Sequence, residues 1–362
     1  MQFNAKYSPI GIDLGGSPKL VQFRMKGNPP QPQLHAATSL TLPIPNNGNT
    51  EEERDTFVKE LKSSLSSAHF GSRRAIIALP SSDVHMRPLT LPVDEHDLAK
   101  RVRWEAESYI EGPIEDSVID HVVLGEATTA GERRLEVLAI SADKHKVLTT
   151  LDLLNRAGLT TETVDISPLA LCRVLQAAHT DPDTAAAAID IGAQITTTVI
   201  AMNDELRMAR PIAVGGDTLT DAIQTALEIN PEEAEILKRQ HGVGSRNPEH
   251  GESDAGDPQQ VPNKIAQIVH DILREHIDRL ADELQKLFRY FSAQHRGQSV
   301  ERVFLLGGGG ALKHLDELLA SRLNTQVDVG EPLAQITGSD VELKRGNDSS
   351  YAVAAGLALR GL

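Results

Sequence analysis

The sequence predicts an α/β fold of two related lobes, because one strand-turn-strand pattern occurs twice and a glycine run follows near the end. The first pattern is Ile10–Val21, IGIDLGGSPKLV, and the second is Ala188–Val199, AIDIGAQITTTV. The glycine run closes the apolar segment Val303–Ala311, VFLLGGGGA. Each segment begins as a buried-type strand, and the first two then turn at Asp-x-Gly as β-hairpins do.

The two hairpins carry the chemistry of a phosphate site. Opposed hairpins can offer backbone N–H groups to phosphates from both sides, because glycine allows close approach and positive φ. Asp13 and Asp190, one on each hairpin, can hold a hydrated metal ion between them. Alternatively, each carboxylate only accepts hydrogen bonds within its own turn. Three segments in this order favour nucleotide contact and indicate an actin-like ATPase fold with its cleft between the lobes.

The composition is that of a soluble protein with more than one domain. A chain of 362 residues is too long for a single core. Hydrophobic residues make up 40 % and charged residues 24 %, which is ordinary for globular proteins and predicts no disordered or fibrous class. Nucleic acids and anionic lipids need a basic surface, so the net charge of −15 argues against both as direct partners.

Cysteine usage and apolar runs predict a cytoplasmic protein. Cys172 is the only cysteine, so no intrachain disulfide can form, which suits a reducing compartment. This residue lies in an apolar helical stretch and is expected to pack in a core rather than act as a nucleophile. The sequence shows no signal-peptide pattern and no apolar segment of about 20 residues, so we expect no direct membrane insertion.

Local signals place the elements of the first lobe and of an insertion. Strands are expected at 8–14, 20–25, 34–40 and 75–79. Thr50 caps a helix that begins with three glutamates, which suit the helix dipole. From about 82 the pattern changes to a compact α+β unit with strands at 85–91, 118–124 and 135–141 and helices after Asp94 and Asp143. In the first of these helices Leu98, Val102 and Tyr109 fall on one side.

The second lobe repeats the hairpin and then becomes helical. Gly215 and Gly216 lead into a helix over 218–227, and Asn230 caps the next one. Residues 242–262 are rich in Gly, Pro and polar side chains and are predicted to form a mobile loop. A Leu/Ile stripe over 262–292 predicts a long core-facing helix. The last helix, over 351–360, is expected to fold back onto the first lobe.

These elements predict the following division of the chain: lobe 1 at 1–81 and 159–184, the inserted α+β subdomain at 82–158, the lobe 2 core at 185–240 and 300–345, the lobe 2 loop and long helix at 241–299, and the returning C-terminal helix at 346–362.

Beyond the hairpins, four segments resemble the PilM family of actin-like type IV pilus assembly proteins and, more distantly, FtsA. Val102–Ile110, VRWEAESYI, is similar to a helix of the family's inserted, SHS2-like subdomain. The segments GGDTLT at 215–220 and AEILKRQHG at 234–242 are similar to segments shared by PilM and FtsA. The segment AVAAGLA at 352–358 is similar to the family's closing helix. The resemblance covers nearly the whole chain.

The resemblance implies ATP and Mg²⁺ as ligands and assigns residues to them. It implies a first phosphate loop of Asp13, Gly15, Gly16, Ser17 and Lys19, and a second of Asp190, Gly192, Thr196 and Thr197. It places Gly215 and Gly216 near the phosphates or ribose, Glu235 and Lys238 at the ribose hydroxyls, and Gly307, Gly308 and Gly309 against the nucleoside. Asp13 and Asp190 would hold Mg²⁺ through water. Lys19 is either a phosphate neighbour or a solvent-facing lysine.

A peptide partner is implied as well. The inserted subdomain of PilM-like proteins binds a short cytoplasmic N-terminal peptide of the inner-membrane protein PilN. This would place Trp104 and Tyr109 on or near the peptide groove, although Trp104 is equally expected as a packed anchor of an amphipathic helix. The implied protein is a cytoplasmic scaffold, peripheral to the inner membrane through its partners, which include other pilus assembly proteins and further copies of itself.

The first turn departs from the family pattern. The turn Gly16–Lys19 is one residue shorter than usual, and Pro18 has no N–H to give a phosphate. We therefore expect at most a slow ATPase. Two alternatives stay open: a nucleotide-free scaffold with a degenerate cleft, or a small-molecule kinase on the same fold, for which the insertion lacks an obvious Asp-bearing loop. No amphipathic tail follows Arg360, which favours PilM over FtsA.

Overall fold

The computed structural model describes residues 7–28, 30–46, 48–93, 97–110, 112–129, 132–179, 181, 183–243, 260–338, 343, 347–360 and 362. Its strands are β1 (Ile10–Asp13), β2 (Lys19–Lys26), β3 (Gln31–Ser39), β4 (Arg74–Ala78), β5 (Val84–Pro92), β6 (Ser117–Thr129), β7 (Glu132–Asp143), β8 (Thr160–Asp165), β9 (Ala185–Ile191), β10 (Thr196–Met202), β11 (Glu205–Ile212), β12 (Val300–Leu306) and β13 (Gln326–Val329). Its helices are α1 (Glu51–Ser67), α2 (Leu98–Ala106), α3 (Lys144–Arg156), α4 (Ser167–Ala178), α5 (Gly216–Leu227), α6 (Pro231–His241), α7 (Gln260–Gln294), α8 (Gly307–Gly310), α9 (Leu315–Leu323), α10 (Pro332–Thr337) and α11 (Ala352–Leu359).

Two five-stranded sheets repeat one topology. The first has the order β3-β2-β1-β4-β8 and the second the order β11-β10-β9-β12-β13. In each sheet the first strand of the hairpin, β1 or β9, pairs antiparallel with the second and parallel with a later strand, β4 or β12. The two hairpins therefore hold equivalent places in the two sheets. This repeat confirms the predicted two-lobed, actin-like α/β fold.

A helical layer joins the two lobes. Helices α4 and α11 pack against each other and against the inner faces of both sheets, in one core that includes Phe23 of lobe 1 and Val199 of lobe 2. The outer face of the first sheet packs on α1 and α3. The outer face of the second sheet packs on α5, α7 and α9. Each lobe is thus a sheet between two layers of helices, and the inner layer is shared.

Two glycines permit the closest contacts of this shared layer. A Cβ on Gly11 of β1 would stand 2.0 Å from the carbonyl oxygen of Ala354. A Cβ on Gly356 would stand 2.0 Å from the carbonyl oxygen of Ala170 in α4. Because these obstacles are backbone atoms, only glycine lets α11 lie directly against β1 and α4. The structure thus places the last helix on lobe 1.

Capping residues begin two of the helices where the sequence predicts them. The Thr50 hydroxyl accepts a hydrogen bond from the Glu53 N–H at 3.3 Å, and the Glu53 carboxylate accepts one from the Thr50 N–H at 2.7 Å. Asn230 accepts a hydrogen bond from the Glu233 N–H at 2.9 Å at the start of α6. These bonds satisfy amides that a helix cannot satisfy internally, so they fix the first residue of α1 and of α6.

The insertion between β4 and α3 is a small sheet with one helix. Strands β5, β7 and β6 form an antiparallel sheet in that order. Helix α2 covers one face of the sheet, where Leu91, Val102 and Val137 are buried. The opposite face, with Leu124 and Leu138, joins the shared core between the lobes. Each face of this sheet therefore packs in part on other parts of the chain, while Val118 and Val123 of β6 stay exposed.

Helix α3 packs on both lobe 1 and the insertion. Its buried residues Leu153 and Leu154 pack with α1 and the outer face of the first sheet. Its buried residue Val147 packs with Ala142 of β7 in the insertion. The predicted boundaries of the insertion at 82–158 therefore stay a prediction.

The predicted loop and long helix of lobe 2 differ in what can be described. Of the loop at 242–262, residues 244–259 lie outside the described part of the chain. The long helix is α7, and its buried residues from Val269 to Phe291 face the lobe 2 core. Among the helices of the described residues, none is both long enough and apolar enough to cross a bilayer.

Candidate functional site

Two aspartates lie on the facing sides of the two sheets. Asp13 ends β1, and Asp190 is the last residue but one of β9. Alternate residues of a strand point to opposite faces of its sheet. Two positions earlier, Gly11 contacts α11 and Ala188 joins the shared core, so both carboxylates fall on the inner faces. The structure therefore brings together the two residues that the hairpin pattern predicts.

Burial raises the pKa of both carboxyls. The pKa of Asp190 rises to about 7, first through desolvation and second through the negative charge of Asp13. The pKa of Asp13 rises to about 6 through desolvation, against the Gly15 hydrogen bond and the charge of Lys19, which lower it. The two carboxylates thus repel each other across the cleft. A bound divalent cation would relieve both the desolvation and the repulsion.

The tips of the two hairpins lie close together. A Cβ on Gly16 of the first turn, where φ is +45°, would stand 3.4 Å from the Cβ of Ala193 in the second turn. The first turn is also closed on its own lobe. The Ser17 hydroxyl donates to the carbonyl oxygen of Leu40, and the Lys19 ammonium donates to that of Ser17 at 2.6 Å. For a phosphate contact, the Ser17 hydroxyl would have to leave its partner, whereas the Lys19 ammonium has two further N–H donors.

Backbone amides at the tips offer donors for an anion. The Gly15 N–H donates to Asp13 at 2.9 Å and the Gly192 N–H donates to the carbonyl oxygen of Ile195 at 3.1 Å, which shapes each turn. Within the described chain, the amides that have no acceptor include those of Gly16, Ser17, Ala193 and Gln194. Phosphate oxygens are suitable acceptors for such successive N–H groups. Ala193 and Gln194 are site residues that the sequence did not single out.

The second hairpin is fixed by the N-terminus of α5. The Gly216 N–H donates to the carbonyl oxygen of Gly192 at 2.9 Å, and the Asp217 N–H donates to that of Ala193 at 2.7 Å. A Cβ on Gly215 would stand 2.4 Å from the Ala193 carbonyl oxygen, so this close approach requires glycine. Gly215 and Gly216 thus anchor the hairpin. Their predicted contact with phosphates or ribose stays a prediction.

The two threonines predicted for the second loop differ in their surroundings. Both Thr196 and Thr197 are buried in β10. The Thr196 hydroxyl donates to the carbonyl oxygen of Val214 at 2.6 Å, which holds the segment that precedes α5. Thr197 is the cross-strand neighbour of Asp190 and shares its face of the sheet. Thr197 is therefore the member of this pair that lies beside the cleft.

Glu235 and Lys238 form a closed network rather than free ribose ligands. The buried Lys238 ammonium donates to the Gly216 carbonyl oxygen at 2.9 Å and to the Thr220 hydroxyl at 2.7 Å. It also pairs with a Glu235 carboxylate oxygen at 2.5 Å, so its three donors are all used. The other Glu235 oxygen pairs with Arg239 at 2.6 Å. Ribose contact by this pair stays a prediction and would require the network to open.

Arg239 joins the site without having been predicted from the sequence. Its side chain is 78 % exposed, one helical turn beyond Glu235. Burial lowers the pKa of Lys19, Asp13 raises it, and the charge of Arg239 lowers it further, which places Arg239 near the first hairpin. Two cations that repel each other beside the cleft suit a ligand with several negative charges. The segment AEILKRQHG contains Arg239, but the resemblance assigns only Glu235 and Lys238 of that segment to the ligand.

The glycine run forms the single helical turn α8 beside Asp190. A Cβ on Gly307, where φ is +78°, would stand 2.5 Å from the Asp190 carboxylate. A Cβ on Gly309 would stand 2.4 Å from the side chain of Ile191, whereas one on Gly308 would meet nothing within 4 Å. Gly307 and Gly309 are thus required for packing on β9. Gly308 presents bare backbone to open space.

The residues predicted for peptide binding lie on the insertion. Trp104 of α2 is 58 % exposed, and the Arg101 guanidinium lies 4.3 Å from the centre of its ring. Tyr109 follows α2 and is partly buried, with the Arg87 guanidinium 4.6 Å from its ring centre. The exposure of Trp104 does not fit a packed helix anchor. An exposed indole beside a cation is a surface suited to contact with another molecule.

A hydrated Mg²⁺ ion fits the aspartate pair. Among the described residues, no group of three or more His, Cys, Asp and Glu could hold a metal ion. Magnesium usually keeps several waters and takes one or two carboxylates together with substrate phosphates. Asp13 and Asp190 offer that number of carboxylates on facing sheets. The site therefore suits a metal that arrives with a phosphate ligand better than one bound by protein side chains alone.

Comparison with known proteins decides the family. The family described as type IV pilus assembly protein PilM matches residues 11–362. The chain belongs to the PilM family. A solved PilM–PilN type IV pilus biogenesis complex is 28 % identical to this PilM-family chain, covers 98 % of each chain and has a TM-score of 0.75. The resemblance carried by the four sequence segments is thereby confirmed.

More distant relatives agree on the fold. MreB5 of Spiroplasma citri bound to ADP has a TM-score of 0.51 at 12 % identity, over 97 % of this PilM-family chain and 94 % of its own. EutJ of Carboxydothermus hydrogenoformans has a TM-score of 0.54 at 15 % identity, over 99 % and 91 %. The cell division protein FtsA of Rhizobium meliloti (strain 1021) is 27 % identical over 219 residues, 57 % of this chain. The match spans 46 % of that FtsA, less than half of its length.

Proposed function

We propose that this PilM-family chain is an ATP-binding scaffold of type IV pilus assembly, or of a related competence or secretion machine. In this proposal it binds the cytoplasmic N-terminal peptide of a PilN-like inner-membrane protein and works at the membrane through that partner. Membership of the PilM family supports the assembly role. The partner is supported by a relative of 28 % identity whose structure is a PilM–PilN complex. Other pilus assembly proteins and self-association are compatible additions.

The meeting of the hairpin tips carries the nucleotide part of the proposal. Gly16 of one lobe and Ala193 of the other bring unpartnered amides together, and each hairpin adds a carboxyl whose pKa is raised by burial. A triphosphate with Mg²⁺ supplies the acceptors and the positive charge that this arrangement needs. MreB5, which shares the fold, is bound to ADP in one structure and to AMPPNP in another.

Different residues of the chain would contact the metal ion, the phosphates and the nucleoside. The Asp13 and Asp190 carboxylates would hold hydrated Mg²⁺, and the turn amides would face the phosphate oxygens. Gly308 would lie under the nucleoside, because its bare backbone borders open space. When bound, Mg²⁺ neutralises phosphate charge. Pro18 removes one N–H from the first turn, which supports at most slow hydrolysis.

A nucleotide-free scaffold is the second candidate, and particular contacts favour it. Lys238 has every donor engaged, and Ser17 and Lys19 bond within their own lobe. Several predicted ligand groups therefore already have protein partners. In such a scaffold the hairpins would only fix the two lobes against each other. Direct binding measurements separate the two candidates.

Calorimetric titration with Mg-ATP tests the proposal on the wild type, Gly308→Ala and Asp190→Ala. We expect micromolar binding by the wild type, no measurable binding by Asp190→Ala, and about tenfold or greater loss for Gly308→Ala. Gly308→Ala is the sharper variant, because its Cβ meets no protein atom within 4 Å and only a ligand would feel it. Gly48→Ala in an exposed loop is the matched control. Absence of binding by folded wild type would favour the nucleotide-free scaffold.

A second titration tests the peptide partner. Trp104 is the only tryptophan, so its fluorescence reports directly on the proposed surface. We expect a synthetic N-terminal peptide of a PilN-like protein from the same source to change this emission, and Trp104→Ala to weaken its binding about tenfold by calorimetry. Leu148→Ala, at a position 57 % exposed on α3, is the control. Unchanged peptide affinity in Trp104→Ala would show that Trp104 does not contribute to the peptide groove.

A further inference from the structure

The insertion contacts lobe 2 as well as lobe 1. It leaves lobe 1 between β4 and α3, yet Leu124 of β6 is buried in one cluster with Leu206 and Ala209 of β11. Strand β11 is the outermost strand on its side of the second sheet. A contact between β6 and β11 therefore crosses from the insertion to the opposite lobe. Any change in the angle between the lobes must either break this contact or carry the insertion with it.

A single arginine bonds to both sides of this boundary. The Arg207 guanidinium donates to the carbonyl oxygen of Leu124 in the insertion at 3.4 Å. It also donates to the carbonyl oxygen of Met202 at 3.3 Å and pairs with Glu205 at 2.7 Å, both within lobe 2. Its side chain is only 17 % exposed. The planar guanidinium is thus held by three groups at once, which lysine could not reproduce.

The insertion is shaped to receive this guanidinium. The pairing of β6 with β7 shifts register between Val123 and Gly125, and Gly125 has a φ of +148°. A Cβ on Gly125 would stand 3.0 Å from an Arg207 nitrogen. Glycine is therefore favoured here both by backbone conformation and by the space that Arg207 fills. A bulge that turns a strand toward a specific side chain is an organised feature rather than an irregularity.

A second contact lies at the same level of the insertion's sheet. Glu136 of β7 is the cross-strand neighbour of Gly125. Burial raises the pKa of Glu136, while the charge of His295 and a hydrogen bond from Gln294 lower it. Gln294 ends α7, and His295 follows it. The insertion therefore meets lobe 2 at two places, β11 and the end of α7.

We propose that Arg207 is a positioning residue that makes the insertion follow lobe 2 when the angle between the lobes changes. A ligand that bridges the hairpin tips stabilises one lobe angle, and the Arg207 bonds then hold the insertion, with Trp104, in one place relative to lobe 2. The ligand acts through its preference for that angle. The identity of the ligand as Mg-nucleotide rests on the proposed function, whereas the role of Arg207 rests on its own contacts.

Energy transfer from Trp104 to a probe on lobe 2 tests this role in the full chain. Tyr290→Cys, at a position 54 % exposed on α7, supplies the labelling site. The native Cys172 does not compete, because it is buried and its pKa is raised to about 11. Without nucleotide, we expect Arg207→Ala to broaden the donor–acceptor distance distribution. With Mg-AMPPNP, we expect the distance distribution of the labelled protein that retains Arg207 to shift, and that of Arg207→Ala not to shift. The calorimetric affinity of Arg207→Ala for Mg-AMPPNP should change less than about twofold.

Matched variants separate this role from general destabilisation. Arg210→Ala lies on the same strand but pairs with Glu283 of α7, so it should behave as the wild type. Gly125→Ala, which crowds Arg207 from the insertion side, should reproduce Arg207→Ala. Identical nucleotide-free distributions in the wild type and Arg207→Ala would overturn the proposal, and so would a full nucleotide shift in Arg207→Ala. If calorimetry shows no nucleotide binding, the ATP role fails, and the nucleotide-free distributions still decide the role of Arg207.

Discussion

Asp190 is a carboxyl that the fold buries beside a second carboxyl. Desolvation and the charge of Asp13 together raise its pKa to about 7, so near neutral pH it is only partly ionised in the free protein. Groups with strongly shifted pKa values concentrate at functional sites, because the charge that folding disfavours is the charge that a ligand uses. A cation bound between the lobes would convert this repulsion into attraction. The residue thus links ligand binding to stability.

Asp190→Asn is predicted to stabilise the ligand-free protein at pH 8. The folded-state pKa of about 7 lies above the ordinary 3.8, so the native state loses stability as pH rises from about 4 to about 7. Above that range the whole penalty is present, and asparagine removes it. We expect a gain of about 1–3 kcal/mol at pH 8 and a smaller gain at pH 5. Urea unfolding without divalent cations measures both values.

The control for this prediction is Asp120→Asn on the insertion, where the side chain is 83 % exposed. It should change the unfolding free energy little at either pH. A gain in Asp190→Asn that is equal at pH 5 and pH 8 would assign the effect to something other than ionisation. A loss of stability at pH 8 would mean that the Asp190 carboxylate has a partner that stabilises its charge.

Two neighbouring glycines of α8 are predicted to differ in how much stability an added Cβ costs. Gly307→Ala places a Cβ 2.5 Å from Asp190 at a φ of +78°, whereas Gly308→Ala places one in open space. We expect Gly307→Ala to lower the free energy of unfolding by about 2–4 kcal/mol and Gly308→Ala to change it by less than about 1 kcal/mol. Urea unfolding of the two variants side by side measures the difference. Equal losses of unfolding free energy in the two variants would show that α8 tolerates a Cβ at neither position.

Residue identity was predictable where the residue type itself is informative. Asp13, Asp190 and the glycines of the run follow from the motifs, because few residue types tolerate those turns or supply those oxygens. Arg207 and Arg239 were not predicted, although Arg239 lies in the segment AEILKRQHG that resembles the family. Each is an ordinary surface-type residue in the sequence, and its role arises from contacts between segments far apart in the chain. Such contacts produce no local periodicity or residue spacing in the sequence from which they could be predicted.

Among the elements, α11 is held by close backbone contact as well as by side-chain packing in the shared core. Its small residues let it lie between β1 and α4, with Gly11 and Gly356 at the points of closest approach. We predict that Gly11→Ala lowers the free energy of unfolding by about 3 kcal/mol or more, because its Cβ would stand 2.0 Å from the Ala354 carbonyl oxygen.

Thermal and urea unfolding of Gly11→Ala beside Gly48→Ala check this prediction. Gly48 lies in an exposed loop, and its added Cβ would meet only an Asn46 side-chain oxygen at 3.3 Å. The control should therefore unfold close to the wild type. A Gly11→Ala protein as stable as the control would mean that α11 can move away from β1 at little cost. The shared layer would then be looser than its contacts indicate.

Most elements were predictable because their local signals agree. Apolar residues in the hairpin strands either alternate with polar ones or form continuous runs, as the burial of each strand requires. Thr50 and Asn230 predict the helix starts at which they form caps. The sequence does not decide whether α3 belongs to the insertion. Its apolar stripe fits any sheet, and in the structure Leu153 and Leu154 pack on lobe 1 while Val147 packs on β7 of the insertion.

Among the described residues of the whole molecule, the lobes contact each other at several places. They share the α4–α11 layer, their hairpin tips meet at Gly16 and Ala193, and the insertion contacts lobe 2 at Arg207. The shared layer is a packed core and resists deformation. The tips and the Arg207 contact are separate contacts, and lobe 2 takes part in both. A ligand at the tips can therefore select a lobe angle that the insertion also senses.

Locking the tips together should abolish nucleotide binding. The Cβ positions of residues 16 and 193 stand 3.4 Å apart, close to the roughly 3.5–4.5 Å of a disulfide, so Gly16→Cys with Ala193→Cys should cross-link on oxidation. The link holds the tips at the separation seen in the structure, so the turns could not move apart to admit phosphates between them. We expect the oxidised double variant to bind Mg-ATP at least about tenfold more weakly than its reduced form, by calorimetry.

The same two cysteine substitutions also report whether nucleotide occupies the cleft. Nucleotide bound first should keep the two turns apart, so Mg-ATP should slow cross-linking, as measured by the loss of free thiols with time. The single variant Ala193→Cys, treated with the same oxidant, controls for oxidation elsewhere, and Cys172 is buried in both proteins. Equal Mg-ATP affinity in the oxidised and reduced forms would show that the phosphates do not pass between the tips. The ligand would then have to enter the cleft from the side of α6 and Arg239.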